Sequence, residues 1–324
     1  MIASNRTQLL IEELIGLIQQ RINAQLNAIL HHKRFQDLES AWRSLHVLLE
    51  ARSKESHVQV KLLCITPREL SKDMLHSIDF DQSVLFQKIY RQEIDLAGGT
   101  PFGLLIGNYQ FSHKPNAYFK DSIGVLSSMA KIASAAFAPF IAGVDPAFFG
   151  VENFSKLPVP FKIEDQLVHT EYTRWKALRE EEDSCFIGLC LPGFLSRVPY
   201  NYNGIYNTNR FFIEKTQNHQ DYLWGNAAFI FAAHVIECFD NTGWFANLRG
   251  QSQQDDQEKT TLLKRLYSKA DPKEMLGQIA TEFYLSDQQE KILSDAGFIP
   301  LKDHLLLQQG IFYNCNSIQK TKYY

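Results

Sequence analysis

Between Leu9 and Leu49 the apolar residues return every three or four positions, and from residue 57 onward that period gives way to short apolar runs closed by Gly or Pro. A chain built this way starts as amphipathic helices and continues into a sheet, because a period of 3.6 lays a stripe along a helix and bounded runs suit buried strands. Leu10, Ile11, Leu14, Ile15, Ile18, Ile22, Leu26 and Ile29 mark the first helix. After a polar break at "HHKR", Phe35, Leu38, Trp42, Leu45 and Leu49 mark a second, with Asp37, Glu39, Arg43 and Ser44 on its opposite face. Packing of the apolar stripe is the expectation here, so that Trp42→Ala damages folding or assembly, by about 3 to 5 kcal/mol if the ring is buried.

The stretch "HVQVKLLCIT" (57–66) alternates Val58, Val60 and Leu62 with polar residues, which predicts a strand. A third helix is expected from about Leu70 to Arg91. "GTPFGLLIGNYQF" (99–111), "PFIAGVDPAFFG" (139–150) and "SCFIGLCLPGFLSRVPY" (184–200) are strand-like runs. "GVLSSMAKIASAAFAPF" (124–140) and "DYLWGNAAFIFAAHVIECF" (221–239) have the small and apolar residues of buried helices. Strands and helices alternate without the regularity of a doubly wound sheet, so the expected class is mixed α/β or α+β. The expected organisation is a helical segment over 1–56, an α/β body over 57–248, a polar loop or linker over 249–275, and the rest of the body over 276–324.

A chain of 324 residues with 45% hydrophobic and 12% aromatic residues can bury an extensive core without disulfides or metals. Its net charge of −3 offers no basic patch for nucleic acid or an anionic membrane. No run reaches the roughly 18 apolar residues of a membrane span, and the N-terminus lacks the pattern of a secretion signal. Cys64, Cys185, Cys190, Cys238 and Cys315 form no CxxC pair or zinc-type cluster, which fits a reducing cytoplasm.

The search for chemistry ends in structural readings. Neighbouring His31 and His32 point about 100° apart on a helix and suit a turn or cap better than a shared ion. His234 and Glu237 could share a helix face as metal ligands, but no second motif joins them, and a locally bonded buried histidine is the better reading. Gly103 and Gly107 lack the lysine and helix start of a phosphate loop. The acidic run "REEEDS" (179–184) reads as a solvated helix end. Neither catalysis nor a cofactor nor a metal is expected.

Several stretches together resemble a known family. "ILHHKRFQDLESAWRSLHVLL" (29–49), "PFGLLIGNYQFSH" (101–113), "APFIAGVDPAFFG" (138–150), "WKALREEEDSCFIGLCLPGFLSRVPY" (175–200), "DYLWGNAAFIFA" (221–232), "GWFANLRG" (243–250) and "DQQEKILSDAGFIPL" (287–301) occur in the family's order. The chain is similar to the large subunit of the contractile tail sheath of bacterial type VI secretion systems, the TssC/VipB family. It departs from the pattern at Asn108, where an Asp is common, at Asn201, where a glycine is usual, and at "QSQQDDQEK", which replaces a glycine-rich loop.

The resemblance implies a non-catalytic structural protein in the bacterial cytoplasm, with a sheath-like body. Its implied partners are a small sheath subunit, an inner tube protein and other sheath subunits. Structural packing is expected at Phe35, Leu38, Trp42, Leu45 and Leu49, and at Trp175, Trp224 and Trp244 within the quoted motifs. The final "IFYNCNSIQKTKYY" resembles a segment inside the family's chain, which implies a further C-terminal region; a shortened, non-polymerising interaction module or one half of a split subunit is the alternative expectation.

Overall fold

The computed structural model describes residues 2–157, 163–200, 212–245, 248–249, 261–263, 280–304 and 309–320. The expected linker at 249–275 lies outside the described residues, except for Arg249 and 261–263. The class is mixed α+β, with two N-terminal helices followed by a parallel sheet enclosed by further helices.

Helices α1 (Ile2–Leu30) and α2 (Lys33–Glu50) separate at the polar break, with His31 in a turn and His32 at the N-cap of α2. The expected strand at 57–66 joins no ladder among the described residues. The expected helix 70–91 is broken. Helix α3 (Pro67–His76) opens with a Thr66–Glu69 capping box and ends at Ser77. A 3-10 turn (Phe80–Gln82) follows, then α4 (Val84–Phe86), which continues as a π-helical stretch to Asp95. The break has a local cause: the Asp73 carboxylate accepts from Val84 N and Leu85 N at 3.0 Å, and Ser83 Oγ accepts from Phe86 N. These bonds satisfy the orphan donors of a second helix start, so the chain restarts instead of continuing.

Strands β1 (Leu105–Phe111), β2 (Phe140–Val144) and β3 (Ile187–Leu191) fall inside the apolar runs that announced them. Between them lie α5 (Ser122–Ala136), α6 (Ile163–Leu167) and α7 (Thr173–Glu180). Beyond β3 come β4 (Phe194–Arg197), β5 (Leu223–Gly225), α8 (Ala227–Thr242), β6 (Thr261–Leu262), α9 (Asp287–Asp295), β7 (Ile299–Pro300), β8 (Lys302–His304) and β9 (Gln309–Ile311). The main sheet is parallel in the order β1-β2-β3-β7, β4 and β5 pair antiparallel, and β6-β9-β8 form a third, antiparallel sheet.

Both faces of the parallel sheet are covered, which is why β2 and β3 read as unbroken apolar runs. Phe140, Ala142, Val144, Leu189 and Leu191 join the core on the α5 side, while Ile141 and Cys190 turn to the α8 side. The expected helix 221–239 begins six residues later than its run. Its first residues form β5 instead, where Gly225 lies so close to β4 that a Cβ would meet Phe194 and Ser196. Asn226 then caps α8 by accepting from Ala228 N and inserts its amide beside Gly143, donating to Tyr109 O at 3.1 Å. This fills the irregular register between β1 and β2.

Candidate interaction surface

Helix α1 carries its stripe on the outside. Leu10, Ile11, Leu14, Ile15, Ile18, Ile22, Leu26 and Ile29 are all exposed, Leu14 by 58%. Among its side chains from Thr7 onward only Asn27 is buried, and Gly16, Gln19, Asn23 and Leu30 are half-buried. The face turned to the body is therefore the polar one. Asn27 fixes it there: its Oδ1 accepts from Lys215 N at 2.8 Å, and its Nδ2 donates to Asn23 O and Ile213 O.

Helix α2 repeats the inversion, and its stripe is not buried within the chain. Phe35, Leu38, Trp42 and Leu49 are exposed, Trp42 by 63%, and Leu45 is half-buried; the buried residues are Ser44 and Leu48. Glu39 and Arg43, expected toward solvent, face inward. Arg197, from β4, donates through Nε to Glu39 Oε1 at 2.7 Å and through Nη1 and Nη2 to Glu214 at 2.5 and 3.1 Å. Arg43 Nε reaches the same Glu39 oxygen at 2.8 Å, and Tyr200 N donates to Glu214. Burial works against the charge of Arg197, but the Glu214 and Glu39 carboxylates outweigh it and hold its pKa above the ordinary value. A buried charge is tolerated only when paired and hydrogen-bonded, so this network dictates which side of α2 turns inward. Ser40 Oγ adds a bond to Trp224 O, and Gln36 Nε2 one to Gln220 O.

The three remaining aromatics of the motifs stand in different places. Trp175 is buried and stacks on Phe298, with Phe148 against its edge. Trp224 is half-buried, donates its Nε1–H to His219 O at 2.8 Å and stacks on the His219 ring. Trp244 is 70% exposed.

Where reactive groups gather, the geometry is that of packing. His234 is buried, with its Nε2 3.1 Å from Leu248 O, and Cys238 Sγ lies 3.7 Å from that nitrogen. Burial pushes the Cys315 thiol up to about 12 and the Cys190 thiol well above its ordinary value, which keeps both protonated and poor nucleophiles. Among the described residues no group of three or more His, Cys, Asp or Glu is placed to hold a metal ion, and no helix is long and apolar enough to cross a membrane.

Arg197 and Glu214 were not singled out by sequence reasoning. The available signal was a lone charge closing the apolar run "SCFIGLCLPGFLSR".

Two helices thus turn polar faces toward the α/β body and apolar faces outward, and a contiguous exposed apolar surface of this kind marks an interaction site. A family model described as VipB: EvpB/VC_A0108, tail sheath N-terminal domain, matches residues 12–319, and the chain belongs to that tail sheath family. It is similar to the type VI secretion system sheath protein TssC1 of Pseudomonas aeruginosa, with 32% identity over 321 residues, covering 97% of this chain and 62% of that protein. The chain thus spans less than two thirds of the length of this curated relative.

Proposed function

We propose that this chain is a structural subunit of a type VI contractile sheath in the bacterial cytoplasm, and that the outer face of α1 and α2 binds the small sheath subunit. One observation carries the reading: Leu10 to Ile29 of α1 and Phe35, Leu38, Trp42 and Leu49 of α2 turn apolar side chains to solvent while both helices are anchored by their polar faces. Covering such side chains is worth roughly 1.5 to 3 kcal/mol each before ordering costs. Assembly with further sheath subunits around an inner tube protein belongs to the same reading; contraction then draws on bistable contacts between subunits and asks for no active site.

Co-expression with the small sheath subunit tests it. A stable complex is expected, and a charge placed on the stripe by Leu14→Glu with Trp42→Glu abolishes it while the body stays folded by circular dichroism. Full complex formation by the double variant refutes the assigned face.

A further inference from the structure

Glu214 holds the two N-terminal helices through different atoms. Its buried carboxylate accepts from Arg197 Nη1 and Nη2 at 2.5 and 3.1 Å and from Tyr200 N at 2.9 Å. Its own N–H donates to Tyr200 O at 3.2 Å. These bonds tie the segment 213–215 to the end of β4, and Arg197 passes the tie on to Glu39 of α2. On either side of Glu214 the main chain takes hold of α1: Lys215 N donates to Asn27 Oδ1 at 2.8 Å, and Ile213 O accepts from Asn27 Nδ2 at 3.4 Å. His31, in the turn between the helices, brings its Nε2 to 3.5 Å from Glu214 Oε1.

The two helices differ in what else holds them. Helix α2 also places Leu48 in the core beside α8 and bonds Trp224 O and Gln220 O through Ser40 and Gln36. Helix α1, from Thr7 onward, buries only Asn27. Within the segment that Asn27 grips, Ile213 and Lys215 are exposed and Glu214 is the buried residue. The place of α1 therefore depends on 213–215, and the place of 213–215 on Arg197. Replacing a buried ion pair by apolar residues of similar volume is often neutral in stability, and such a pair can instead select one arrangement among several.

We propose that Glu214 and Arg197 are positioning residues: through Asn27 they lock α1 at one angle to α2, so that the two apolar stripes form a single preorganised face for the small sheath subunit. The inference rests on the sheath reading above. Without the lock, α1 swings about the His31–His32 turn, and the binding-competent arrangement becomes one of several. Apparent affinity then falls in proportion to the fraction of chains that keep it.

Arg197→Met with Glu214→Leu separates positioning from stability, because it removes the lock while filling the buried space with apolar atoms. Spin labels at Gln20 of α1, Glu50 of α2 and Lys131 of α5, all exposed, read the arrangement in the lone chain once the exposed Cys64 and Cys185 are replaced by Ser. In the parent, the Gln20–Lys131 and Glu50–Lys131 distance distributions should both be narrow. In the double variant only the first should broaden, and calorimetric titration with the small subunit should show binding at least about tenfold weaker, as for a competent fraction of about one tenth or less. Asn27→Ala, which leaves the charges in place, should do the same and decides the matter if the double variant does not fold. A merely stabilising pair would leave the Gln20–Lys131 distribution narrow. That result, a broad distribution in the parent, or parent-like affinity overturns the proposal and leaves the sheath reading standing. A parent chain that does not bind the small subunit overturns the sheath reading and the partner named here, while the distances in the lone chain still decide whether Glu214 and Arg197 position α1.

Discussion

Leu48 and Trp42 sit on one helix, and their truncations should have opposite consequences. Leu48 is 2% exposed and packs among Phe229, Ala232, Ala233 and Ile236 of α8. Leu48→Ala leaves a cavity there and should cost about 2 to 5 kcal/mol of stability. Trp42 keeps only about a third of its surface from water. For a side chain that buries up to about 250 Å² when enclosed, that third caps the loss near 2 kcal/mol at about 25 cal/mol per Å². The compactness of the unfolded chain and the better helix propensity of Ala reduce it further, to about 1 kcal/mol.

In the complex the order reverses. The open two thirds of the Trp42 ring can be covered by a partner, and losing an anchor of that size weakens binding by about 2 to 4 kcal/mol, or roughly 30- to 1,000-fold. Urea denaturation of each variant and calorimetric titration with the small subunit read the two effects separately. A Trp42→Ala chain that loses as much stability as Leu48→Ala, or binds the small subunit like the parent, refutes the outward placement of the stripe as the docking face.

Arg197→Ala should destabilise the chain by about 3 to 5 kcal/mol in chemical denaturation, because it leaves the buried Glu214 carboxylate without its cation; Arg197→Met combined with Glu214→Leu should recover much of that loss. The Glu282 carboxyl accepts from Gly193 N, and burial raises its pKa from 4.5 to about 7 against the pull of that N–H and of Lys33. The folded state therefore holds a proton that the unfolded state releases, so this contribution is complete below the unfolded pKa and is lost as pH rises through about 7. Melting temperature against pH should fall over that window relative to Glu282→Gln, which lacks the titration; parallel profiles count against the shift. Phe137 closes α5 in the left-handed region at φ 52° with 82% of its surface exposed, so Phe137→Gly should raise stability by up to about 1 kcal/mol, checked by thermal melting.

Much of the architecture was legible from periodicity and punctuation. The helix break at His31–His32 and the strands within 105–111, 140–144 and 187–191 sit where polar breaks and Gly- or Pro-bounded runs placed them. Misreadings arose where a local hydrogen bond outweighs the pattern. Asp73 and Ser83 start a new helix within an otherwise periodic stretch, and Asn226 delays α8 until after a strand. At 57–65 the strand pattern is present, but alternation records the shape of a chain and carries no information about whether a neighbour lies beside it.

The sequence by itself determined which residues share a face. In α2 it grouped Phe35, Leu38, Trp42 and Leu49 on one side and Glu39, Arg43 and Ser44 on the other. Only the tertiary structure decided which side turns inward. Arg197 and Glu214, more than 150 residues away, make a pocket of charge that Glu39 completes, and only the polar side of α2 can enter it without leaving a buried charge unpaired.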